Sequence, residues 1–418
     1  MLLIGDIHIT TRMTDRIITM LRDFVDAHPA EQNIIFVGDY VYHFAYDRAA
    51  LFALYAFFVQ LFEQGKSVFV LAGNHDRLGD GFVYAEVKKA FDLLHAHSDG
   101  KLHFITEPEV HSIDGEDVLF FPYMIHKVSD MPTAIIPRTE IEQSIQTQIS
   151  TLAASENKNE QFSAYINALL LSYTQQYDSL TVIHHYYTSA IQFPGYASRF
   201  AFKDIALSDC FLDLPHIRLV SWHIHAPFIY KNYCCIGSIW STSSLEHNTI
   251  KWLFRLQGKQ LTMTVQMLNP YRVFGQDVRD VLGLGSATIR EEDISTLYDH
   301  IRQEYTQSLA TNDIWDVTIH HTLLPPLEHM HIQLIVDNTD YENLAHYVDD
   351  SILAQCKDIK LKKYNPAVQD LMEQFTASNQ KIISTFSDRK QVLKDYVQTK
   401  YPDDYTKYEE VLQELKVV

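Results

Sequence analysis

The chain is poor in cysteine. Its four, Cys210, Cys234, Cys235 and Cys356, form no C-x-x-C spacing, so neither a thiolate zinc knuckle nor a disulfide framework is suggested, and a reducing cytoplasm is the expected setting. Cations are scarce as well. Lys and Arg number 34 against 53 Asp and Glu, a formal net charge of −19. That excludes a protein gripping nucleic acid through a broadly basic surface, because phosphates are neutralised by Lys and Arg. A polyanion handled here needs positive charge from metal ions or a partner. No apolar run approaches the roughly 18–20 residues that span a bilayer, so no membrane role is expected. The opening MLLIGDIHIT lacks a basic n-region and is interrupted by Asp6, unlike a signal peptide. Internal repeats and low-complexity tracts are missing too.

What is present reads as an ordinary globular composition, 46% apolar and 21% charged over 418 residues, long enough for two or three domains. The first hundred residues alternate strand and helix. MLLIGD, NIIFVGD and SVFVLAGNHD are short buried strands. TDRIITMLRDFV has helical spacing, and a second helix over about 47–64 ends at Gly65, a C-terminal cap. Such alternation implies crossover connections and largely parallel pairing. Further strands are expected at VLFFPY, LTVIHHYY, IRLVSWHIH, NYCCIGS and IKWLFRL, with a helical insertion at about 138–178. The expected organisation is an α/β domain over 1–257, a small α+β capping domain over 258–349 with a helix near 292–306, and a helical segment over 350–418.

Each of five strands runs into a polar cluster: Asp6-Ile7-His8, Gly38-Asp39, Gly73-Asn74-His75-Asp76, His184-His185 and His223-Ile224-His225. Carboxyl ends of parallel strands share one edge, where sites of α/β folds assemble. Asp, Asn and His give a mixed oxygen and nitrogen donor set without soft thiolate, suited to Mn²⁺, Fe²⁺ or Zn²⁺. The candidate ligands exceed what one ion needs and suit two ions about 3.5–4 Å apart.

In this order the motifs D-x-H, G-D, G-N-H-D, a strand-terminal His and H-x-H resemble those of the calcineurin-like metallophosphoesterases. The chain is most similar to the SbcD-type nuclease subunits of double-strand-break repair and the recombination nuclease subunit of T-even phages. The resemblance implies a sandwich of mixed β-sheets flanked by helices. It also implies two divalent ions, with Mn²⁺ favoured over Fe²⁺ or Zn²⁺. Asp6, His8 and His225 would hold the first ion, and Asn74, His184 and His223 the second, with Asp39 bridging. His75 would stand beside the scissile phosphate. Asp76 is expected to orient an imidazole rather than bind metal. Neighbours on a strand face opposite ways, so only one of His184 and His185 can face the ions; His184 is assigned, with His185 as a substrate contact or core residue. His43 is read as a surface residue. Departures from the family pattern are Tyr42 after G-D, the missing Leu-Gly after D-x-H, and Trp222 before H-x-H. None removes a ligand.

The implied function is a metal-dependent DNA exonuclease, and in some substrates endonuclease, working in repair or recombination. Its implied partners are DNA, an SbcC-type coiled-coil ATPase docked on the tail after about residue 350, and a second copy of the chain. The alternatives are a phosphodiesterase or phosphatase for a cyclic nucleotide or nucleotide ester, and a non-catalytic scaffold with a structural metal site.

Overall fold

The computed structural model of the chain describes residues 1–41, 44–78, 81–84, 102–124, 135–188, 205–225, 227–239, 251–266, 271–274, 313–320, 331–336 and 358–363. All fall in one compact unit, residues 1–191 and 205–363; a second unit, 192–204 and 364–418, lies outside the described residues.

In chain order the strands begin with β1 (Leu2–Ile4), β2 (Asn33–Phe36), β3 (Ser67–Leu71), β4 (Arg77–Leu78), β5 (Gly81–Phe82), β6 (Leu102–Ile105), β7 (Glu109–Ile113) and β8 (Glu116–Phe121). They continue with β9 (Leu180–His184), β10 (Tyr187–Thr188), β11 (Ala206–Leu207), β12 (Ile217–Ser221), β13 (Phe228–Tyr230) and β14 (Tyr233–Cys235). The last are β15 (Lys251–Gln257), β16 (Gln260–Gln266), β17 (Tyr271–Phe274), β18 (Asp316–His320), β19 (His331–Val336) and β20 (Asp358–Lys363). Described helices are α1 (Thr14–Asp26), α2 (Phe44–Glu63), α3 (Glu140–Ala153) and α4 (Lys158–Thr174).

Two mixed sheets form the body. One has the order β18-β16-β15-β1-β2-β3-β6, the other β13-β14-β12-β9-β8-β7. In the first, β1, β2, β3 and β6 run parallel, while β15 pairs antiparallel to both β1 and β16. In the second, β8, β9, β12 and β14 run parallel. The architecture is mixed α/β, with helices flanking the sheets.

Strand alternation sorts the core into two layers. Leu2, Ile4, Ile34, Phe36, Val68 and Val70 bury against Ile17, Leu21 and Phe24 of α1 and Leu51, Leu54 and Phe58 of α2. The residues between them, Leu3, Ile35, Phe69 and Leu71, face the other way and pack with Val118, Phe120, Ile183, Val220 and Trp222 of the second sheet. Because β1 to β3 are buried on both faces, they read as unbroken apolar runs. α1 presents its buried residues at Ile17, Met20, Leu21, Phe24 and Val25, one helical stripe. Gly65 closes the turn after α2 in the left-handed region, φ 83°.

Two features bear on the expected organisation. β16 and β18 extend the first sheet, so its hydrogen bonding runs across the boundary expected at 257/258; the tight β15–β16 hairpin at Gly258 makes this continuation local. β20 is a strand inside the stretch expected to be helical from 350 onward, pairing parallel with β19 in a sheet of order β17-β19-β20. Its sequence, DIKLKK, alternates apolar and charged residues, the period of a strand rather than a helix. The helix expected near 292–306, the rest of the tail and His43 lie outside the described residues.

Phe120 is fully buried and stacks on Phe69, ring centroids 4.8 Å apart, between the two sheets. Phe120→Ala is expected to lower unfolding free energy by about 3–5 kcal/mol, read as a lower denaturant midpoint; a loss under about 1 kcal/mol would mean that this layer is not tightly packed.

Candidate metal centre

The carboxyl ends of β1, β2 and β3 lie side by side, and the loops leaving them are pressed together. A Cβ on Gly38 would sit 2.5 Å from the Gly73 nitrogen, and Gly38 itself has φ 109°. Only glycine permits both that backbone conformation and that approach. Two non-glycine residues here are also left-handed, His8 at φ 42° and Asp39 at φ 50°. Such conformations cost about 1–3 kcal/mol each and persist where surrounding contacts enforce them. The enforcing contacts are present. The His8 N–H donates to the Asp39 carbonyl at 2.8 Å and the Ile9 N–H to that of Tyr40 at 2.7 Å.

Asp76 fastens the loops together. Its Oδ2 accepts from the N–H groups of Asp39 at 2.8 Å and Gly73 at 2.7 Å, and its Oδ1 from that of Tyr40 at 2.8 Å. In return the Asp39 carboxylate accepts from the His75 N–H at 2.8 Å. Burial and the nearby Asp39 carboxylate push the Asp76 pKa up, against the three N–H donors that favour its ionised form. The expected imidazole partner is thus replaced by backbone: Asp76 orients the ligand loops themselves.

Side chains from five loops then converge. His225 Nε2 lies 3.2 Å from His8 Nε2 and 3.4 Å from Asp6 Oδ2. His8 Nε2 is 3.9 Å from both Asp6 Oδ2 and Asp39 Oδ2. On the other side His185 Nε2 lies 2.5 Å from Asn74 Oδ1, 3.3 Å from Asp39 Oδ2 and 3.3 Å from His223 Nδ1, with its Nδ1 3.9 Å from Asp6 Oδ1. Two donor groups result, Asp6 with His8 and His225, and Asp6 with Asp39 and His185. Asp6 belongs to both, and Asp39 also reaches both sides.

The structure therefore gathers Asp6, His8, Asp39, Asn74, His223 and His225, but not His184. The His184 ring turns the other way, edge-on to Tyr233 at 5.7 Å, and its Nδ1 accepts from the Tyr186 N–H at 3.2 Å. Burial drops its pKa to about 3, so it stays neutral. His185 takes the place expected for His184. It shares the inward parity of Ile183, whose side chain lies between the sheets. The run LTVIH is buried at every position, so hydrophobic alternation could not tell inward from outward; only the packing of Ile183 between the sheets distinguishes them.

The protonation states suit metal binding. Burial lowers the His185 pKa, and its attraction to Asp39 does not overcome that. Burial works against ionisation of Asp39 too, yet the His185, His75 and His8 imidazoles hold it well below the ordinary carboxylate range. The pair is best described as ionised Asp39 beside neutral His185, both electron-pair donors. Two carboxylates, an amide oxygen and four imidazoles directed at one another fit divalent cations of intermediate softness. His75 stands apart from this set. It is exposed, and its ring meets His8 edge-on at 5.3 Å.

Residues 1–154 match the family model described as Calcineurin-like phosphoesterase. That span holds Asp6, His8, Asp39, Asn74, His75 and Asp76; His185 and His225 come from beyond it and complete the two groups, with His223 beside His185. The matched span is similar to metallophosphoesterase domains, whose chemistry is metal-dependent hydrolysis of phosphoesters. A solved protein of unknown function from Aquifex aeolicus is 12% identical, with 51% of this chain and 91% of that one covered at a TM-score of 0.22, a likeness too low to carry an argument. No curated protein matches the chain. Among the described residues no helix is long and apolar enough to cross a membrane.

His185→Ala is expected to retain less divalent metal than wild type after loading and desalting, measured by elemental analysis, while His184→Ala keeps the wild-type content. The reverse pattern would return the ligand role to His184.

Proposed function

We propose that the chain is a two-metal phosphodiesterase that cleaves DNA, as the nuclease subunit of an end-processing assembly with an SbcC-type ATPase. One observation carries the hydrolytic part: an exposed imidazole, His75, adjoins two convergent donor groups that share a buried carboxylate. Two divalent ions at those groups would supply positive charge against the phosphate and make a water more acidic. Asp6, His8 and His225 would hold one, and Asp39, Asn74, His185 and His223 the other.

The chain's own groups do the rest. Asp39 and Asp6 lie between the imidazoles and would offer a carboxylate to both cations. His75, held at its backbone by the Asp39 carboxylate, is positioned to protonate the oxygen that leaves as the P–O bond breaks and water's oxygen joins phosphorus. Its exposure matters here, since a group that must meet substrate cannot be sealed in the core.

The nuclease reading rests on the sequence resemblance and on the charge balance. A chain of net charge −19 is ill suited to hold a polyanion alone, so a more basic ATPase would present DNA to the metals. The tail beyond Lys363 is the proposed docking segment, and a second copy of this chain would complete the assembly. The same acidity favours one competing reading, a small cyclic nucleotide or nucleotide ester as substrate, for which no basic groove is needed.

With Mn²⁺, linear duplex DNA is expected to be degraded to nucleotides, and chelation to abolish this. His75→Ala should lower kcat by about 10²–10⁴-fold at unchanged metal content. Turnover of a cyclic dinucleotide or bis-p-nitrophenyl phosphate without any on DNA would instead select the small-substrate reading. Removing residues 364–418, which spares β20, should abolish co-purification with the ATPase and leave Mn²⁺-dependent diesterase activity; retained co-purification would exclude the tail as the docking segment.

A further inference from the structure

We propose that Tyr123 is the surface on which a nucleobase next to the scissile phosphate stacks. This deepens the phosphodiesterase reading above and rests on it.

Tyr123 leaves the end of β8 in the run Phe121-Pro122-Tyr123-Met124, and its mounting is unusually complete. Its N–H donates to the Ala72 carbonyl at 2.8 Å, one residue before Gly73 of the metal-centre loop. On either side, the Met124 N–H donates to the Tyr186 hydroxyl at 3.0 Å, and that hydroxyl donates to the Pro122 carbonyl at 3.0 Å. One buried phenol therefore closes the turn around Tyr123. The ring rests on Tyr186, centroids 5.6 Å apart and planes 25° apart, and meets His185 edge-on at 6.2 Å.

Exposure singles the residue out. Phe121, Pro122, Met124, His185 and Tyr186 are all buried, whereas Tyr123 is half-buried. The fold thus leaves Tyr123 partly accessible beside a metal-ligating imidazole, with its backbone and one neighbouring ring held in place. A ring so fixed loses little conformational freedom on contact, which lowers the cost of binding. Stacking on a base is also indifferent to the sign of charge, and it tolerates any base because each has a π-face. It gives a chain poor in cations a way to hold nucleic acid at the reacting phosphate. Hydrolysis itself needs no such ring, so the residue serves substrate class rather than chemistry.

The test compares Tyr123→Ala and Tyr123→Phe with wild type, loaded with Mn²⁺, on an oligonucleotide and on one of equal length whose terminal residues are abasic. Tyr123→Ala should raise KM on the ordinary oligonucleotide about tenfold or more, with Tyr123→Phe near wild type. On the abasic substrate wild type and Tyr123→Ala should be alike. Equal impairment on both substrates, loss of bound Mn²⁺ in Tyr123→Ala, or a Tyr123→Phe variant as poor as Tyr123→Ala would overturn the proposal. If wild type cleaves neither oligonucleotide, the nuclease reading fails, and the same variants are read on a cyclic dinucleotide. There a raised KM for Tyr123→Ala alone supports the stacking role, and an unchanged KM refutes it.

Discussion

The centre depends on one carboxyl group, that of Asp76, which lies outside both donor groups. Asp76 takes three backbone N–H groups from the loops after β2 and β3, and Asp39 answers with a bond to the His75 N–H. Buried N–H donors without acceptors are costly, and this carboxyl group satisfies three of them. This exchange holds Asp39 in a left-handed conformation it would not otherwise keep, and it places Asn74 and His75 on the same rim. Gly38 and Gly73 allow the contact, because any side chain would hold the loops apart.

Around that clasp the sandwich solves a problem of distance along the chain. Asp6 and His225 lie 3.4 Å apart at their nearest polar atoms, although more than two hundred residues separate them. The first sheet brings Asp6, His8, Asp39 and Asn74 to its edge, the second brings His185, His223 and His225 to the facing edge, and the apolar layer between them fixes the gap. Phe69, Phe120, Ile183 and Trp222 in that layer thereby set metal-ligand spacing, although none is polar. Concentrating acid and imidazole in a buried edge is unfavourable without cations, and divalent ions are the natural counter-charge.

Much of this was legible in the residues. The three apolar strands followed by D-x-H, G-D and G-N-H-D predict a shared strand edge, because parallel crossover connections admit few other arrangements. Donor type alone favours a divalent metal over thiolate chemistry. The α1 stripe and the Gly65 cap follow from local periodicity and backbone freedom, which neighbouring residues decide among themselves.

Other features were settled only by packing. A strand buried on both faces shows no alternation, so LTVIHH conceals which histidine points inward; the partner sheet decides, and it selects His185. Asp76 was expected to face an imidazole, but its partners are backbone groups of loops that meet only after β2 and β3 pair. The addition of β18 to the first sheet depends likewise on long-range pairing that no local window contains. The sequence by itself determined the donor types and their order along the chain, because those are covalent facts. Tertiary structure decided which of them meet, because only the two sheets' relative packing determines which side of each strand looks into the cleft.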